Sequence, residues 1–167
     1  MCAEHLGKDF CVAAQCVLWE MRLTVYCRRA LRGDVSGIAT AVSATGIGGV
    51  LGNKGGLVVQ LSVGRSTLAF VSCHLQANEG ANYLKDRNAM GKKVLLSTSR
   101  LGGARHKLDV THRADHTIFL GDLNYRIDLG LLGGSRRSPQ TRGDRDAQVA
   151  AVHELLERKD YAQMMAA

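Results

Sequence analysis

Apolar residues near the start of the chain recur with the period of β-strands. Residues 10–18 form one apolar run, and residues 21–27 alternate as MRLTVYC. Both segments are typical of strands, and their closeness along the chain predicts that they belong to one sheet. Residues 38–42 predict a further short strand.

Two more strands are predicted in the middle of the chain. Residues 57–63 place every second residue from Leu57 on one apolar face, and residues 66–73 form a second apolar run. Gly64-Arg65 between them suits a two-residue hairpin turn with glycine first. The second strand ends at His74. A histidine there is often structural, but the ends of neighbouring strands also converge on shared sites.

The second half of the chain mixes helical and strand patterns. Residues 82–96 carry an apolar stripe at helical spacing, and residues 97–114 are polar and basic, which predicts an irregular region. Residues 117–120 are a short apolar run that ends at Gly121, as a buried strand would. Asp144 is predicted to cap a final helix over 145–159, whose stripe Val149, Val152, Leu155 and Leu156 predicts core packing.

Polar side chains follow the predicted strand 117–120 at alternate positions. They are Asp122, Asn124 and Arg126. If the backbone stays extended beyond Gly121, all three point the same way. A carboxylate, an amide and a guanidinium then suit attack of water on a phosphate, because Asp takes a proton and Arg meets phosphate oxygens. Asp-x-Asn after a strand is equally a turn signal.

A glycine-rich segment precedes the strand at 57–63. Residues 46–56 contain six glycines and present Asn53 and Lys54. Asn53 interrupts the Gly-Lys step of a P-loop, and no helix follows as the dinucleotide fingerprint requires. The segment is therefore predicted to be a flexible loop that cradles an anion, with a purely structural glycine turn as the alternative.

Composition limits the class of protein. The 167 residues suffice for one domain with a core, and 46% hydrophobic residues disfavour disorder. No apolar stretch reaches the roughly 18 residues of a membrane span, and the N-terminus lacks the pattern of a signal peptide. The five cysteines form no CxxC pair, which predicts reduced thiols in a cytoplasmic protein without a zinc site.

The positive charge is concentrated in one segment. Residues 85–145 hold 13 of the 22 Lys/Arg and 6 of the 15 Asp/Glu, so their surplus of seven equals the net charge of +7. Such a surplus attracts an anionic membrane, a nucleic acid or a multiply phosphorylated small molecule, although a solvated surface would carry it equally well.

Several motifs in order resemble a known family. GIGGVLGNKGG, SCHLQA, the Arg87-Asn88 pair and IFLGDLNYRIDL resemble the catalytic core of inositol polyphosphate 5-phosphatases, in the endonuclease/exonuclease/phosphatase superfamily. The resemblance covers about residues 10–165. It implies an α/β fold of two packed, mostly antiparallel β-sheets flanked by helices, a four-layer α/β/β/α sandwich. Residues 1–167 would form one partial domain of this kind, incomplete at both ends.

The resemblance also implies the roles of individual residues. Asp122 would activate the attacking water, Asn124 would hold it, and His74 would contact the scissile phosphate. The reaction would remove the 5-position phosphate of an inositol ring with Mg²⁺ as Lewis acid. The predicted substrate-binding residues are polar or cationic: Asn53, Lys54, Lys85, Arg87 and Arg126, the last also as a support for the Asp-Asn turn.

The chain departs from the family pattern in four places. The family's metal-binding glutamate segment, its Trp-Cys-Asp-Arg motif and its late Asp-His pair have no counterpart here, and Gln76 replaces an alanine. The metal ligands stay unknown, and little or no hydrolytic activity is expected of this chain by itself.

Expected partners are a phosphoinositide headgroup or a soluble inositol phosphate, with peripheral contact to an anionic membrane and no specific nucleic acid. Two alternatives stay open. One is another metal-dependent hydrolase of the superfamily, such as a nuclease, although those relatives lack the Gly-Asn-Lys-Gly-Gly loop. The other is a non-enzymatic module that binds anionic lipid or nucleic acid through the basic segment 85–145.

Overall fold

A computed structural model describes residues 5–46, 53–78, 81–103, 107–126 and 142–159. The chain divides into two compact units. The first comprises Met1–Gln76 with Asp86–Asn124, and the second comprises Ala77–Lys85 with Tyr125–Ala167. All the strands within the described ranges belong to the first unit.

A two-stranded antiparallel sheet opens the first unit. Strand β1 (Phe10–Leu18) pairs with β2 (Met21–Arg28), and Leu18 lies opposite Met21 across a tight turn. The sheet predicted from the two apolar runs is confirmed. A 3₁₀ helix at Arg29–Asp34 follows.

The second sheet has four strands in the order β3-β4-β5-β6. Strands β3 (Val35–Ala44), β4 (Gly55–Val63) and β5 (Ser66–His74) pair antiparallel, whereas β6 (His116–Asp122) runs parallel to β5. Val63 lies opposite Ser66, and Gly64 has a φ of 58°. The predicted hairpin turn is therefore confirmed, since this φ suits glycine.

Strand β4 lies at the centre of the core because both its faces are covered. Leu57, Val59 and Leu61 pack toward the β1–β2 sheet, with Ala14 and Leu23 in the same cluster. Because side chains alternate between the two faces of a strand, the residues between these three point to the opposite face.

The opposite face of β4 contacts helical elements. Val58 and Val71 cluster with Val94 of helix α1 (Ala81–Ser97) and with Val110 of the short helix α2 (Val110–Arg113). Two packed sheets with helices confirm the predicted α/β sandwich. The irregular region predicted at 97–114 includes α2 and a 3₁₀ helix at Thr98–Gly103. The side chain of Asp109 begins α2 by accepting a hydrogen bond of 2.9 Å from Thr111 N.

Strand β6 corrects one prediction. It does not end at Gly121 but continues to Asp122, and it is not buried. Ile118, Phe119 and Leu120 are 47%, 39% and 36% exposed. Among the described strands, β6 is at the edge of the sheet with β5 on one side. An apolar run predicts a strand, but its burial depends on neighbours that the run does not specify.

The last described helix corrects a second prediction. Helix α3 runs from Arg142 to Glu157, so Asp144 lies inside it and is not its N-cap. Leu155 is buried, but Val149 and Leu156 are exposed, so core packing of the whole stripe is wrong. No helix within the described ranges is long and apolar enough to cross a membrane.

Candidate active site at the ends of three strands

Three polar residues meet at one edge of the four-stranded sheet. Strand β4 begins at Gly55, β5 ends at His74 and β6 ends at Asp122. Gly55 pairs with His74, and His74 pairs with Asp122. Because β4 is antiparallel and β6 parallel to β5, Lys54, His74 and Asp122 come to the same edge. Residues separated by 20 and 48 positions thus become neighbours.

The His74 ring lies between a cation and an anion. Lys54 Nζ forms a hydrogen bond with His74 Nε2, and Asp122 Oδ2 lies 3.5 Å from the same nitrogen. An ammonium group only donates, so Lys54 Nζ is the donor of this hydrogen bond. Asp122 Oδ2 lies farther from Nε2 than Lys54 Nζ does, so the Asp122 carboxylate can bind another partner.

The charge of Lys54 is tuned by this position. Burial lowers the pKa of the Lys54 ammonium, and the neighbouring Asp122 carboxylate raises it in opposition. Its hydrogen-bonded partner His74 has a side chain that is 29% exposed, whereas that of Asp122 is 63% exposed. The carboxylate therefore faces solvent, from which a water molecule can reach it.

A turn holds the Asp122 carboxylate in place. Its Oδ1 accepts a hydrogen bond of 3.2 Å from Asn124 N, and Asn124 Nδ2 donates to Leu75 O at 3.1 Å. Leu75 N in turn donates to Asp122 O at 3.0 Å. These bonds tie the end of β6 to the residue that follows His74. The turn interpretation of Asp-x-Asn is correct, and the same turn orients the Asp122 carboxylate that lies beside His74.

The extended backbone predicted beyond Gly121 is wrong. Asn124 has a φ of 55°, which is left-handed, so the chain leaves the strand direction. Asp122, Asn124 and Arg126 consequently do not form the predicted row of alternate side chains. Arg126 is exposed and belongs to the second unit. Its substrate-binding role stays a prediction.

Gly121 lets β6 approach β5 closely. Its φ is +114°, and a Cβ at this position would lie far inside contact distance of the Cys73 carbonyl oxygen and 2.9 Å from Cys73 N. Only glycine combines this conformation with this separation. The close approach lies one residue before the His74–Asp122 pair. Gly121 therefore contributes directly to the geometry of the site.

Arg87 occupies a position that its charge did not predict. It is 2% exposed, and its Nη1 donates a hydrogen bond of 3.2 Å to Gln76 O. The guanidinium thus holds the backbone that follows His74. A signal for this burial existed, since Arg87 and the buried Val94 are seven residues apart on one helix face. Its predicted contact with substrate phosphates remains untested.

The remaining predicted positions lie on the surface or outside the described residues. Asn53 is exposed next to Lys54, and Lys85 is exposed on α1 within the second unit. Most of the glycine-rich loop, residues 47–52, and much of the basic segment, residues 127–141, fall outside the described residues. The anion cradle therefore stays a prediction.

Within the described ranges, no group of three or more His, Cys, Asp or Glu side chains could hold a metal ion. Asp122 supplies a carboxylate of the kind that Mg²⁺ prefers, but the described residues alone do not complete a metal site.

Comparisons with known proteins identify the family of the chain. Residues 4–166 match the family described as Endonuclease/Exonuclease/phosphatase family 2. Phosphatidylinositol 3,4,5-trisphosphate 5-phosphatase 2B of Danio rerio is 35% identical over 116 residues, covering 69% of this chain and 9% of that protein. Phosphatidylinositol 3,4,5-trisphosphate 5-phosphatase 1 of Mus musculus is 31% identical over 159 residues, covering 94% of this chain and 13% of that protein. The chain thus spans about a tenth of the length of these relatives.

A solved structure has the same fold. It is the inositol polyphosphate 5-phosphatase domain of SPsynaptojanin in complex with inositol (1,4)-bisphosphate and a calcium ion, with a TM-score of 0.58 and 18% identity. The match covers 93% of this chain and 42% of that chain.

Proposed function

Because the chain belongs to Endonuclease/Exonuclease/phosphatase family 2, we propose that Lys54, His74 and Asp122 form the centre of an inositol 5-phosphatase site. The reaction is hydrolysis of the 5-position phosphate monoester of an inositol ring. The observation that carries the proposal is the meeting of a cation, an imidazole and an exposed carboxylate at one sheet edge. The similarity to phosphatidylinositol 5-phosphatases supports the choice of substrate class.

Asp122 acts as the general base of this reaction. Its carboxylate takes a proton from water while the water oxygen bonds to phosphorus and the bond from phosphorus to the inositol oxygen breaks. The leaving inositol oxygen takes a proton from solvent water and departs as a hydroxyl. The hydrogen bond from Asn124 N fixes the orientation of the carboxylate at Oδ1, so Oδ2 is the oxygen that accepts the proton.

Lys54 and His74 stabilise the negative charge of the phosphoryl group. The Lys54 ammonium reaches His74 Nε2, so a phosphate oxygen beside this pair would meet a fixed positive charge. Partial burial strengthens that attraction because it limits screening by water. Asn53 lies next to Lys54 in the chain and is proposed to contact the same phosphate.

Lys85 and Arg126 are also proposed to bind phosphate groups. Both are exposed, so each can meet a phosphate or an anionic membrane surface at which the protein binds from the cytoplasm. The buried Arg87 has a structural role instead, because its hydrogen bond to Gln76 O holds the backbone that follows His74.

Membership of this family indicates dependence on a divalent metal ion, and we propose Mg²⁺. When bound, the ion would act as a Lewis acid on a phosphate oxygen. Asp122 is the described residue that would contact it. Since the described residues do not complete a metal site, no step is assigned to the ion.

Binding of a soluble headgroup tests the proposal independently of turnover. Inositol 1,4,5-trisphosphate is titrated into the full chain, and the His74 and Lys54 side-chain signals are followed by NMR. Inositol 1,4-bisphosphate, which lacks the 5-phosphate, is expected to bind more weakly. Lys54→Met should weaken trisphosphate binding about tenfold or more. Lys8→Met is the control. It removes the same charge from a residue just before Phe10, the first residue of β1, and should leave binding unchanged.

Turnover is measured in parallel as phosphate release in the presence of Mg²⁺. Asp122→Asn should lower any release by wild-type chain by roughly 100-fold or more, as loss of a general base does. The proposal fails if the two inositol phosphates bind equally and Lys54→Met has no effect. Salt-dependent binding to anionic vesicles or DNA that survives both substitutions would favour the non-enzymatic binding module instead.

A further inference from the structure

Two cysteines face each other across the β1–β2 sheet. Cys11 lies directly opposite Cys27 in the register, and their Sγ atoms are 3.6 Å apart. Both residues are reduced and only partly buried. We propose that Cys11 and Cys27 form a redox-modification site, at which a peroxide or a disulfide such as oxidised glutathione converts the two thiols into an intramolecular disulfide.

The backbone geometry already suits the bond. Directly opposite residues of an antiparallel pair have Cα atoms about 4.5–5.5 Å apart, which lies within the 4.4–6.8 Å usual for disulfides. The sulfur atoms need to approach from 3.6 Å to about 2.05 Å, a change that small side-chain rotations supply. A register shift between Val12 and Ala14 lies beside the pair and gives the local backbone a further means of adjustment.

The other described cysteines are protected from the same chemistry. Cys16 is buried between the sheets, and its Sγ contacts Val58 O at 3.9 Å. Cys73 lies in the core on the other face of the larger sheet, where burial raises the pKa of its thiol to about 12. Because attack on an oxidant requires an accessible thiolate, selectivity for the Cys11–Cys27 pair follows from position.

The reaction is balanced by its oxidant. With hydrogen peroxide, one thiolate attacks an oxygen, a sulfenic acid forms and water leaves. The second thiol then displaces the hydroxyl as another water molecule. With oxidised glutathione, one thiolate forms a mixed disulfide and releases the first reduced glutathione, and the second thiolate then attacks the mixed disulfide and releases the other. In each case the two cysteines together lose two electrons and two protons, which the oxidant accepts.

The bond would join β1 to β2 without reaching the candidate active site. A Cβ added at Gly55 would lie 2.8 Å from Leu18 Cδ2, so the end of β1 that holds Leu18 comes close to Gly55. Cys11 and Leu18 are seven positions apart, which is about 23 Å along a strand. The expected consequence is therefore greater stability of the two-stranded sheet, with the Lys54–His74–Asp122 geometry unchanged.

Peptide mapping of the full chain tests the assignment. After oxidation with peroxide or oxidised glutathione and denaturation, two fewer of the five cysteines should react with a maleimide. The incubation is run above neutral pH, because burial and the neighbouring Cys11 thiol raise the pKa of the Cys27 thiol while Arg32 lowers it. Trypsin should then release residues 9–22 linked to residues 23–28.

A variant at Cys16 shows which cysteine of residues 9–22 forms the link. Residues 9–22 contain both Cys11 and Cys16, so the Cys16→Ala chain is digested in the same way and should retain the link. The Cys11→Ala chain should lose it. Oxidation should raise the unfolding temperature of wild-type chain by roughly 5–10 °C, as expected for a short disulfide loop, and a reductant should reverse the rise.

Three outcomes would overturn the proposal. The first is a wild-type chain whose thiols all remain free under these oxidants. The second is a link from residues 23–28 that disappears in Cys16→Ala. The third is a dominant disulfide to Cys2 or between chains, which mapping of wild-type chain reveals even if a variant does not fold. None of these results bears on inositol phosphate binding, so the two proposals stand or fall separately.

Discussion

Replacing Gly121 by alanine tests whether the close approach of β6 to β5 creates the site. The added methyl group would overlap the Cys73 carbonyl oxygen and lie 2.9 Å from Cys73 N, and both distances are shorter than real Cβ contacts. These neighbours are backbone atoms of Cys73, so rotation of a side chain cannot relieve the overlap. The strands must separate at the position that precedes the His74–Asp122 pair.

The expected cost has two parts. A φ of +114° is strained for alanine by about 1–3 kcal/mol, and forcing extra volume into a packed contact costs about 1–3 kcal/mol more. Reduced freedom of the unfolded chain returns about 0.4–1 kcal/mol. The net loss in the free energy of unfolding is thus about 1–5.6 kcal/mol, with a middle value near 3 kcal/mol that is a large part of the 5–15 kcal/mol typical of a domain.

Urea unfolding of the full chain followed by far-UV circular dichroism measures this loss. With a slope of about 2 kcal/mol/M, a loss of 3 kcal/mol lowers the midpoint by about 1.5 M. Two control variants separate the two parts. Gly102→Ala has a φ of +74° but no atom within 4 Å, so it carries strain without overlap. Gly33→Ala has neither an unusual φ nor a neighbour within 4 Å, so it should change stability by less than about 1 kcal/mol.

The order of the three variants decides the matter. Gly121→Ala should be the least stable, Gly102→Ala intermediate and Gly33→Ala close to wild type. The NMR signals of His74 should also move in Gly121→Ala and stay in place in both controls. If Gly121→Ala is no less stable than Gly102→Ala and leaves His74 unchanged, the close strand approach does not determine the site.

Three further predictions follow from single contacts. Arg87→Met should lower the free energy of unfolding by about 2–3 kcal/mol, since it removes a charged donor from Gln76 O; hydrogen exchange of the amides after His74 should quicken, and unchanged exchange would contradict the positioning role. Asp122→Asn should lower the pKa of Lys54 further, because the carboxylate opposes the effect of burial; an NMR titration of the lysine side chain that shows a rise would refute this. The raised pKa of Cys73, about 12 against an ordinary 9.0, means that the unfolded chain binds fewer protons between these values, so stability should fall as pH rises through this window. Cys73→Ala should show a shallower fall in urea unfolding, and an equally steep fall would contradict the assignment.

Much of the fold followed from local patterns because each pattern reports a period. Alternation at 21–27 and 57–63 predicted strands that the structure confirms as β2 and β4, and Gly64 predicted the hairpin between β4 and β5. Burial followed less reliably. The run at 117–120 predicted a buried strand, yet β6 is exposed, since the same residues fit an edge strand equally well.

The candidate site shows the same division. Asp122, Asn124 and His74 were identified from motifs at strand ends, but the contact of Lys54 with His74 was not. The family resemblance implies that Arg87 binds substrate phosphates, and this role stays a prediction, whereas its burial depends on packing of α1. Charge indicates affinity for phosphate in general, and only the surroundings decide whether a guanidinium meets a ligand or a backbone carbonyl.

The sequence by itself determined where most strands run, the order of the glycine-rich, histidine and Asp-x-Asn motifs, and the family to which these motifs belong. The tertiary structure decided which residues meet. Strand register brings together positions 54, 74 and 122, and it sets Cys11 opposite Cys27. The physical reason is that side-chain period is a property of one strand, whereas register depends on hydrogen bonds between segments far apart in the chain.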